Sequence, residues 1–427
     1  DHTVKGGMEL HWNRGTNFPG GTSFPVQQFG QFSFSGAFSG YDYADFLLGL
    51  PQTASRANAA PLIHALNTDF AWFLQDDWKV NRRLTLNLGV RYEYNPPYHE
   101  KNGNLFNFDP TTGRVIVPNE ASLGRVNPLF PRNLVPIVTA SQAGVPEGLF
   151  FTDLNNLVPR FGFAFRPFAD AKTVLRGAYG LYIDDLTSQL WRLGTGGPYV
   201  SSESFTNTIT AGVAAFQFPR AFPAGFGAIG AQNFDALDPH IRNPYIQQWN
   251  LTAEREAAGM GIRLSYIGTN SRQLSWSQNI NQPPAGERPF SNALRRYPNL
   301  RDIRFRQHGA LHNYHSLHVV AERKTKGALH YQLGWVWAKN LTDAQSDSEQ
   351  GSQPEDAYNR TREYSNVGYT PRHRVTGTVL YALPVGRGRP WLSNLPAPAE
   401  LVLGGWELSA IFVAETGQFF SPSFNGF

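Results

Sequence analysis

The sequence predicts an all-β fold, in the form of a transmembrane antiparallel β-barrel with long extracellular loops and short periplasmic turns. Three observations predict it. Apolar and polar residues alternate with a period of two over long segments. Short turns alternate along the chain with long loops. Aromatic residues make up 14% of the 427 residues, yet no run of about 18 apolar residues offers a spanning helix.

The clearest strand runs from Leu84 to Tyr94. One face would carry Leu84, Leu86, Leu88, Val90, Tyr92 and Tyr94, and the other Thr85, Asn87, Gly89, Arg91 and Glu93. A tilted strand needs about 9–11 residues to cross a bilayer, and this segment has that length. Charges are costly in lipid, so we expect Arg91 and Glu93 to face a watery lumen.

The same alternation recurs along the chain. It is found in segments 69–80, 161–166, 175–183, 249–254, 262–266, 317–321, 329–337, 375–383 and 406–412. We count roughly thirteen strands, mostly of about 9–14 residues, against about 5–6 in globular proteins. Arg176 and Glu254 fall on the polar side of two strands, so they too are predicted to face the lumen.

The connections differ in length in a regular way. Short turns are predicted at 81–83, 167–172, 257–261 and 324–327, and long loops at 95–157, 185–243, 271–310 and 341–369. Short turns at one rim and long loops at the other are typical of outer-membrane barrels. One short helix is expected from Tyr41 to Leu50, ended by Pro51.

Composition excludes several function classes. The absence of cysteine excludes disulfides, thiolate zinc sites and a thiol nucleophile. A net charge of +4 without a dense basic block argues against nucleic acid as a partner. The nucleophile-elbow, zincin, dinucleotide and Walker motifs are missing, so no catalytic residue can be nominated and we expect no enzyme. Composition alone also fits a soluble, glycan-binding or propeller-type β protein.

The most metal-like feature is the segment HGALHNYHSLH. Imidazoles bind zinc, copper and nickel, and in a regular strand His308, His312 and His318 would share a face while His315 points away. No carboxylate is spaced to complete such a site, so histidines of a loop or lumen wall are the favoured interpretation and no metal cofactor is expected.

Charged loops offer two further weak possibilities. The carboxylates of one loop could bind calcium, although their spacing does not fit an EF-hand: Asp343, Asp347, Glu349, Glu355 and Asp356. Arginines at 295–296, 301–306 and 360–374 could grip lipopolysaccharide phosphates, although pairing with nearby acids is the favoured interpretation. The adjacent pairs Asp76-Asp77 and Asp184-Asp185 point to opposite faces of a strand, which argues against paired acid–base catalysis.

Nine segments, in order, resemble the TonB-dependent receptor superfamily, and most of all its Oar-like branch. They are ADFLLGLP (44–51), FLQDDWKVNRRLTLNLGVRYEY (73–94), NNLVPRFGFAF (155–165), NPYIQQWNLTAER (243–255), LSYIGTNSRQL (264–274), NYHSLHVVAERK (313–324), YQLGWVWAKNLTDA (331–344), PRHRVTGTVLYALPVGRGR (371–389) and GGWELSAIFVAETGQFFSP (404–422). Each is a strand with a turn and is weak alone, but nine in order are fairly specific.

The resemblance implies a barrel of about 22 strands in the bacterial outer membrane, with a plug domain inside it. The TonB energising complex would act on that plug, and an unidentified extracellular ligand would enter through the long loops. We expect residues 1–427 to be a barrel segment truncated at both ends, without the plug, surrounded by lipid and lipopolysaccharide. The alternatives are a structural or adhesive surface protein anchored by the barrel and, third, a soluble glycan-binding protein.

Overall fold

Eleven long strands form one antiparallel sheet, which we call the wall. The computed structural model describes residues 1–17, 30–57, 62–170, 172–185, 197–200, 202–220, 222, 228–229, 232–284, 286, 289–323, 328–344 and 354–420. The wall strands pair in chain order: β1 (His2–Asn17), β2 (Ile63–Lys79), β3 (Leu84–Tyr94), β4 (Leu157–Phe165), β5 (Thr173–Ile183), β6 (Tyr245–Ala257), β7 (Met260–Asn279), β8 (Leu300–Arg323), β9 (Leu329–Thr342), β10 (His373–Ala382) and β11 (Glu407–Glu415).

The register gives the wall one apolar and one polar face. Residues directly opposite each other in antiparallel strands share a face. Leu88 lies opposite Phe161, Phe161 opposite Tyr179, and Tyr179 opposite Trp249, so one apolar row crosses four strands. Many large side chains on this apolar face are exposed, and Leu251 is 54% accessible. A second stacked sheet would bury them, so the wall is not half of a soluble sandwich.

The connections confirm the predicted asymmetry, with two differences. At one rim the turns 80–83, 166–172 and 258–259 have two to seven residues, while the predicted turn 324–327 lies outside the described residues. Residues 383–406, at this same rim, form a much longer connection. At the other rim the predicted loop 271–310 is wrong in extent, because β7 and β8 continue to Asn279 and from Leu300.

The described parts of the connections contain four short helices: α1 (Asp42–Leu47), α2 (Glu120–Gly124), α3 (Ala140–Ala143) and α4 (Ala397–Leu403). The predicted helix 41–50 is therefore shorter than expected. It ends early because Gly49 has a φ of +69°, a left-handed conformation that terminates helices. Single 3₁₀ turns occur at Gly197–Tyr199, Asn292–Leu294 and Arg360–Glu363. Within the described ranges, none of the helices has the length and apolarity to span a bilayer.

The long loops carry their own small sheets. One contains Asn107–Asp109, Arg114–Val117 and Ile137–Thr139, a second contains Gln31–Ser33, Thr53–Ala57, Ser202–Thr206 and Ala228–Ile229, and a hairpin joins Ile209–Thr210 to Val213–Ala214. Three further strands extend the wall: His99–Glu100, Gln232–Leu237 and Ser365–Asn366. The loops are thus folded elements at the rim opposite the short turns.

The largest buried core lies in these loops. We call residues 95–156, 197–200 and 232–243 the cap, and they pack against the start of β8. Its main cluster contains Phe106, Phe108, Val115, Val117, Val126, Phe130, Val135, Tyr199, Phe234, Ala236, Leu300 and Ile303. The Tyr199 hydroxyl donates to the carbonyl oxygens of Gly103 and Leu105 at 3.2 and 3.1 Å, and burial raises the pKa of Tyr199.

Candidate functional site

Glycines open a trough on the polar face of the wall. Two neighbouring rows of residues cross β2 to β7. The row nearer the cap contains Gln75, Gly89, Arg160, Gly180, Gln248 and Thr269. The row nearer the short turns contains Asp77, Asn87, Gly162, Ala178, Asn250 and Ile267. These rows line a cavity of about 440 Å³. Amide and hydroxyl side chains at its edges are suited to hydrogen bonding with a polar ligand.

The trough is open because the glycines of its floor carry no side chains. A Cβ atom at Gly89 would lie 3.5 Å from the Gln75 Cβ, and one at Gly162 would lie 3.6 Å from the Asn87 Cβ. These are ordinary van der Waals distances, so a methyl group fits at either position. A larger side chain would project into the trough and fill it.

Arg160 is the charged group at the centre of the trough. Its side chain is exposed, and its guanidinium carbon lies 5.3 Å from the centre of the Tyr182 ring. Among the described residues, no carboxylate forms a salt bridge with Arg160, whereas Arg91 and Arg176 on the same face are paired with glutamates. A guanidinium held over an aromatic ring can bind a carboxylate or phosphate through two parallel hydrogen bonds.

Hydrogen bonds hold the side chains at the edge of the trough that is nearer the short turns. The Asn87 amide donates to Asp77 Oδ1 at 2.6 Å, and the Lys5 ammonium lies 3.5 Å from Asp77 Oδ2. Asp77 is therefore satisfied on both oxygens, which leaves Arg160 as the charge best placed to meet a ligand.

The four polar residues predicted to face the lumen lie on the same face, in two ion-paired clusters. Arg91 contacts Glu93 and also Glu9, each at 2.7 Å. Arg176 lies 3.2 Å from Glu254. By register, the first cluster lies beyond the trough toward the cap, and the second toward the short turns. Their exposure to the lumen stays a prediction.

Sequence reasoning missed Arg160, although a signal was present. The alternation of Phe161, Phe163 and Phe165, extended by one residue, puts Arg160 on the polar side. The glycine floor could not be found this way, because it is built from positions on separate strands that only the register brings together.

The histidines are not brought together. His312 Nε2 lies 2.5 Å from Asn340 Oδ1, His318 Nε2 lies 3.0 Å from Ser316 Oγ, and His308 Nδ1 lies 3.9 Å from Asp238. The prediction that His308 shares their face is wrong, because a bulge at Gly309, with a φ of +121°, breaks the alternation. His315 does point away, since its ring stacks on Tyr266 at 6.1 Å. No group of three potential metal ligands occurs in the described part of the chain.

Several charged loop residues have structural partners. Arg360 lies 2.9 Å from Asp343, whose Oδ1 accepts the backbone N–H of Leu311 at 2.7 Å. Arg295 pairs with Asp302 at 3.2 Å. Asp347 and Glu349 lie outside the described residues. These contacts favour a structural role for Arg295 and Arg360, while calcium and lipopolysaccharide binding stay predictions.

A two-faced antiparallel wall of long strands, with short turns at one rim and folded loops at the other, defines a β-barrel protein of the bacterial outer membrane. Residues 1–426 match the family model described as "Outer membrane beta barrel domain", so the chain belongs to that family. The predicted outer-membrane barrel is thereby confirmed. The Oar-like branch, the 22 strands and the boundaries of the domain stay predictions.

Solved structures with a similar course of the chain are receptors and transporters of the outer membrane. The FrpB iron transporter from Neisseria meningitidis is 9% identical over 75% of this chain and 31% of its own, with a TM-score of 0.36. The transporter YddB from Escherichia coli is 9% identical over 77% and 36%, with a TM-score of 0.41. The ferric enterobactin receptor PfeA from Pseudomonas aeruginosa is 9% identical over 89% and 36%, with a TM-score of 0.41.

The chain therefore spans about a third of the length of these solved proteins. A search of curated proteins finds no match to it.

Proposed function

We propose that this domain is part of the wall of an outer-membrane receptor that takes up an unidentified ligand. Uptake would be gated by a plug in the lumen and driven by the TonB energising complex. The sequence resemblance over nine segments supports this proposal, as does membership of the outer-membrane barrel family. The observation that carries it is the trough around Arg160 on the polar face.

The trough favours transport over simple anchoring. An anchor needs an apolar outer face and a satisfied inner face, and on the polar face Arg91 and Arg176 are paired with glutamates on either side of the trough. Between these two clusters, Arg160 lies over the Tyr182 ring beside the glycine floor of the trough, and no described carboxylate forms a salt bridge with it. We infer that it binds an anionic group of a passing ligand.

The test measures which solutes the protein removes from solution. Cells that express the gene, cells that lack it and expressing cells treated with a protonophore are given the same nutrient extract, and the medium is analysed by mass spectrometry. We expect some solutes to be depleted only by energised, expressing cells. Arg160→Gln should slow that depletion by about 10- to 150-fold, since a hydrogen bond to a charged group contributes about 1.5–3 kcal/mol.

Arg166→Gln is the matched control, because Arg166 is exposed in a short turn away from the trough. It should leave depletion unchanged. If expressing and non-expressing cells deplete the same solutes at the same rate, the transport proposal is wrong.

A structural or adhesive role is the second candidate, and the packed core of the cap favours it. A rigid, folded loop layer can present a binding surface outside the cell. We would then expect cells with the gene to adhere better to polysaccharide-coated plates, and Arg160→Gln to leave adhesion unchanged. Equal adhesion with and without the gene would contradict this role.

A further inference from the structure

One connection at the short-turn rim is a folded segment of 24 residues, 383–406, which we call the rim segment. Its backbone closes on itself: the Trp391 N–H donates to the Pro384 carbonyl at 2.8 Å, and the Gly386 N–H to the Trp391 carbonyl at 3.1 Å. The Arg387 N–H donates to Glu400 Oε2 at 2.9 Å, which ties this turn to α4. The rim segment therefore has a defined shape.

Large apolar side chains of the rim segment are exposed. Leu401 is 87% accessible, and the others are between 45 and 64% accessible: Trp391, Leu392, Val402, Leu403 and Trp406. Each Leu or Val left in water forgoes about 1.5–3 kcal/mol of burial free energy. Six such residues within 16 positions form a patch that is typical of a protein–lipid or protein–protein contact.

The patch is continuous with the apolar face of the wall. Trp406 precedes Leu408 by two residues and so has the parity of the apolar face, where Leu408 lies opposite Tyr381. The Trp406 indole N–H donates to the Val402 carbonyl at 2.8 Å, which holds the end of α4 beside that face. The lipid contact of the wall therefore extends onto the rim segment.

The charges of the rim segment fit a headgroup layer. Arg387 and Arg389 are exposed within it, and Glu400 accepts the Arg387 N–H. Tryptophan is enriched at membrane interfaces, and arginines beside apolar residues attract anionic lipids. The short-turn rim is the periplasmic rim of an outer-membrane barrel, so the facing lipid is the phospholipid of the inner leaflet.

We propose that the rim segment is an interfacial anchor that docks on anionic phospholipids of the periplasmic leaflet. The side chains of Trp391, Leu401 and Trp406 lie among the upper acyl chains, and Arg387 and Arg389 meet the phosphates. This role is independent of what the barrel transports, because it needs only the outer-membrane location.

The absence of cysteine makes a site-specific test simple. The full chain carrying Leu401→Cys is labelled with an environment-sensitive nitrobenzoxadiazole probe in phosphatidylglycerol-containing proteoliposomes. The matched control is Val213→Cys, at a 70% accessible position in the hairpin between Ile209 and Ala214. Both positions are exposed, so neither substitution disturbs a core.

We expect lipid-attached spin labels to quench the probe at 401 several-fold more than the probe at 213, and aqueous iodide to do the reverse. Strong iodide quenching at 401 would overturn the proposal, because the patch would then be in water. Weak quenching by both agents at 401 would also overturn it, in favour of a covering protein.

A charge test sharpens the result. Arg387→Gln with Arg389→Gln should reduce lipid quenching at 401 in vesicles with phosphatidylglycerol and leave it unchanged in phosphatidylcholine alone. Replacing both arginines by lysine should restore it, because lysine keeps the charge. If the glutamine variant behaves like the parent in both vesicles, the assignment to anionic lipid is wrong.

Discussion

The wall exposes large apolar side chains, whereas the cap buries them. In the wall, Leu251 is 54% accessible and belongs to a continuous apolar face. In the cap, Phe234 is 2% accessible, and its ring centre lies 6.2 Å from that of Phe106 and 5.5 Å from that of Phe108. The wall thus relies on lipid to cover its apolar surface, while the cap covers its own. One chain therefore contains a region built like a membrane protein and a smaller region built like a soluble domain.

The two regions also satisfy their backbones differently. The nine wall strands between β1 and β11 pair on both sides, which supplies the hydrogen bonds that a bilayer cannot. The strands of the cap are short, and buried asparagine side chains supply part of the hydrogen bonding to its backbone. Asn107 donates to the Leu237 carbonyl at 2.8 Å and accepts the Leu237 N–H at 2.9 Å, and Asn156 donates to the Asp153 carbonyl at 3.1 Å. Irregular loops of this kind can be buried because side chains complete their bonding.

The largest expected effect is the loss of stability that Phe234→Ala causes in the cap. This change leaves a cavity in the cap and should cost about 3–5 kcal/mol there. Amide hydrogen exchange should rise several orders of magnitude across residues 95–156 and stay slow in β3 to β6, because only the starts of β2 and β8 contribute wall residues to the buried clusters of the cap. Phe420→Ala is the matched control, since Phe420 is 89% accessible. A parallel rise in the wall would show that the regions unfold together.

The next largest expected effect is the loss of stability caused by an arginine on the apolar face of the wall. Leu251 and Asn250 are neighbours at the centre of β6 and lie on opposite faces. Leu251→Arg should destabilise the folded protein in lipid by about 2–4 kcal/mol, because arginine is costly at the bilayer midplane. Asn250→Arg should cost well under about 1 kcal/mol, because surface substitutions in water are mild. The measurement is reversible urea unfolding in vesicles, and equal costs would contradict the two-faced assignment.

The wall was predictable because its signal is local. Leu84 to Tyr94 shows its period of two in the sequence itself, and the structure gives β3 those same bounds. The β7 and β8 extensions were missed, since bulges at Gln273 and Gly309 interrupt the alternation while pairing continues. The cap could not be predicted either: Asn107 meets Leu237 across 130 positions, a contact with no local pattern.

The site was only half predictable for the same reason. Alternation alone put Arg91, Glu93, Arg176 and Glu254 on one face, and the register keeps them on one face. It could not show that Arg91 is shared with Glu9 from β1, because that contact depends on strand pairing across 82 positions. The four predicted residues are ion-paired within the wall, and Arg160 is therefore the remaining candidate for ligand binding.

The smallest expected effect is the coupling energy of the ion pair between Arg176 and Glu254. Arg176 and Glu254 have side chains 56 and 31% accessible, at a separation of 3.2 Å. If their face meets a water-filled lumen, solvent screens the pair and its coupling energy should be about 0.2–1 kcal/mol. A double-mutant cycle with Arg176→Gln and Glu254→Gln, read out by urea unfolding in vesicles, measures that coupling. A value that falls as salt is raised would support the wet face. A coupling of several kcal/mol that is insensitive to salt would place the pair in a dry environment, and the lumen-facing assignment of both residues would then be wrong.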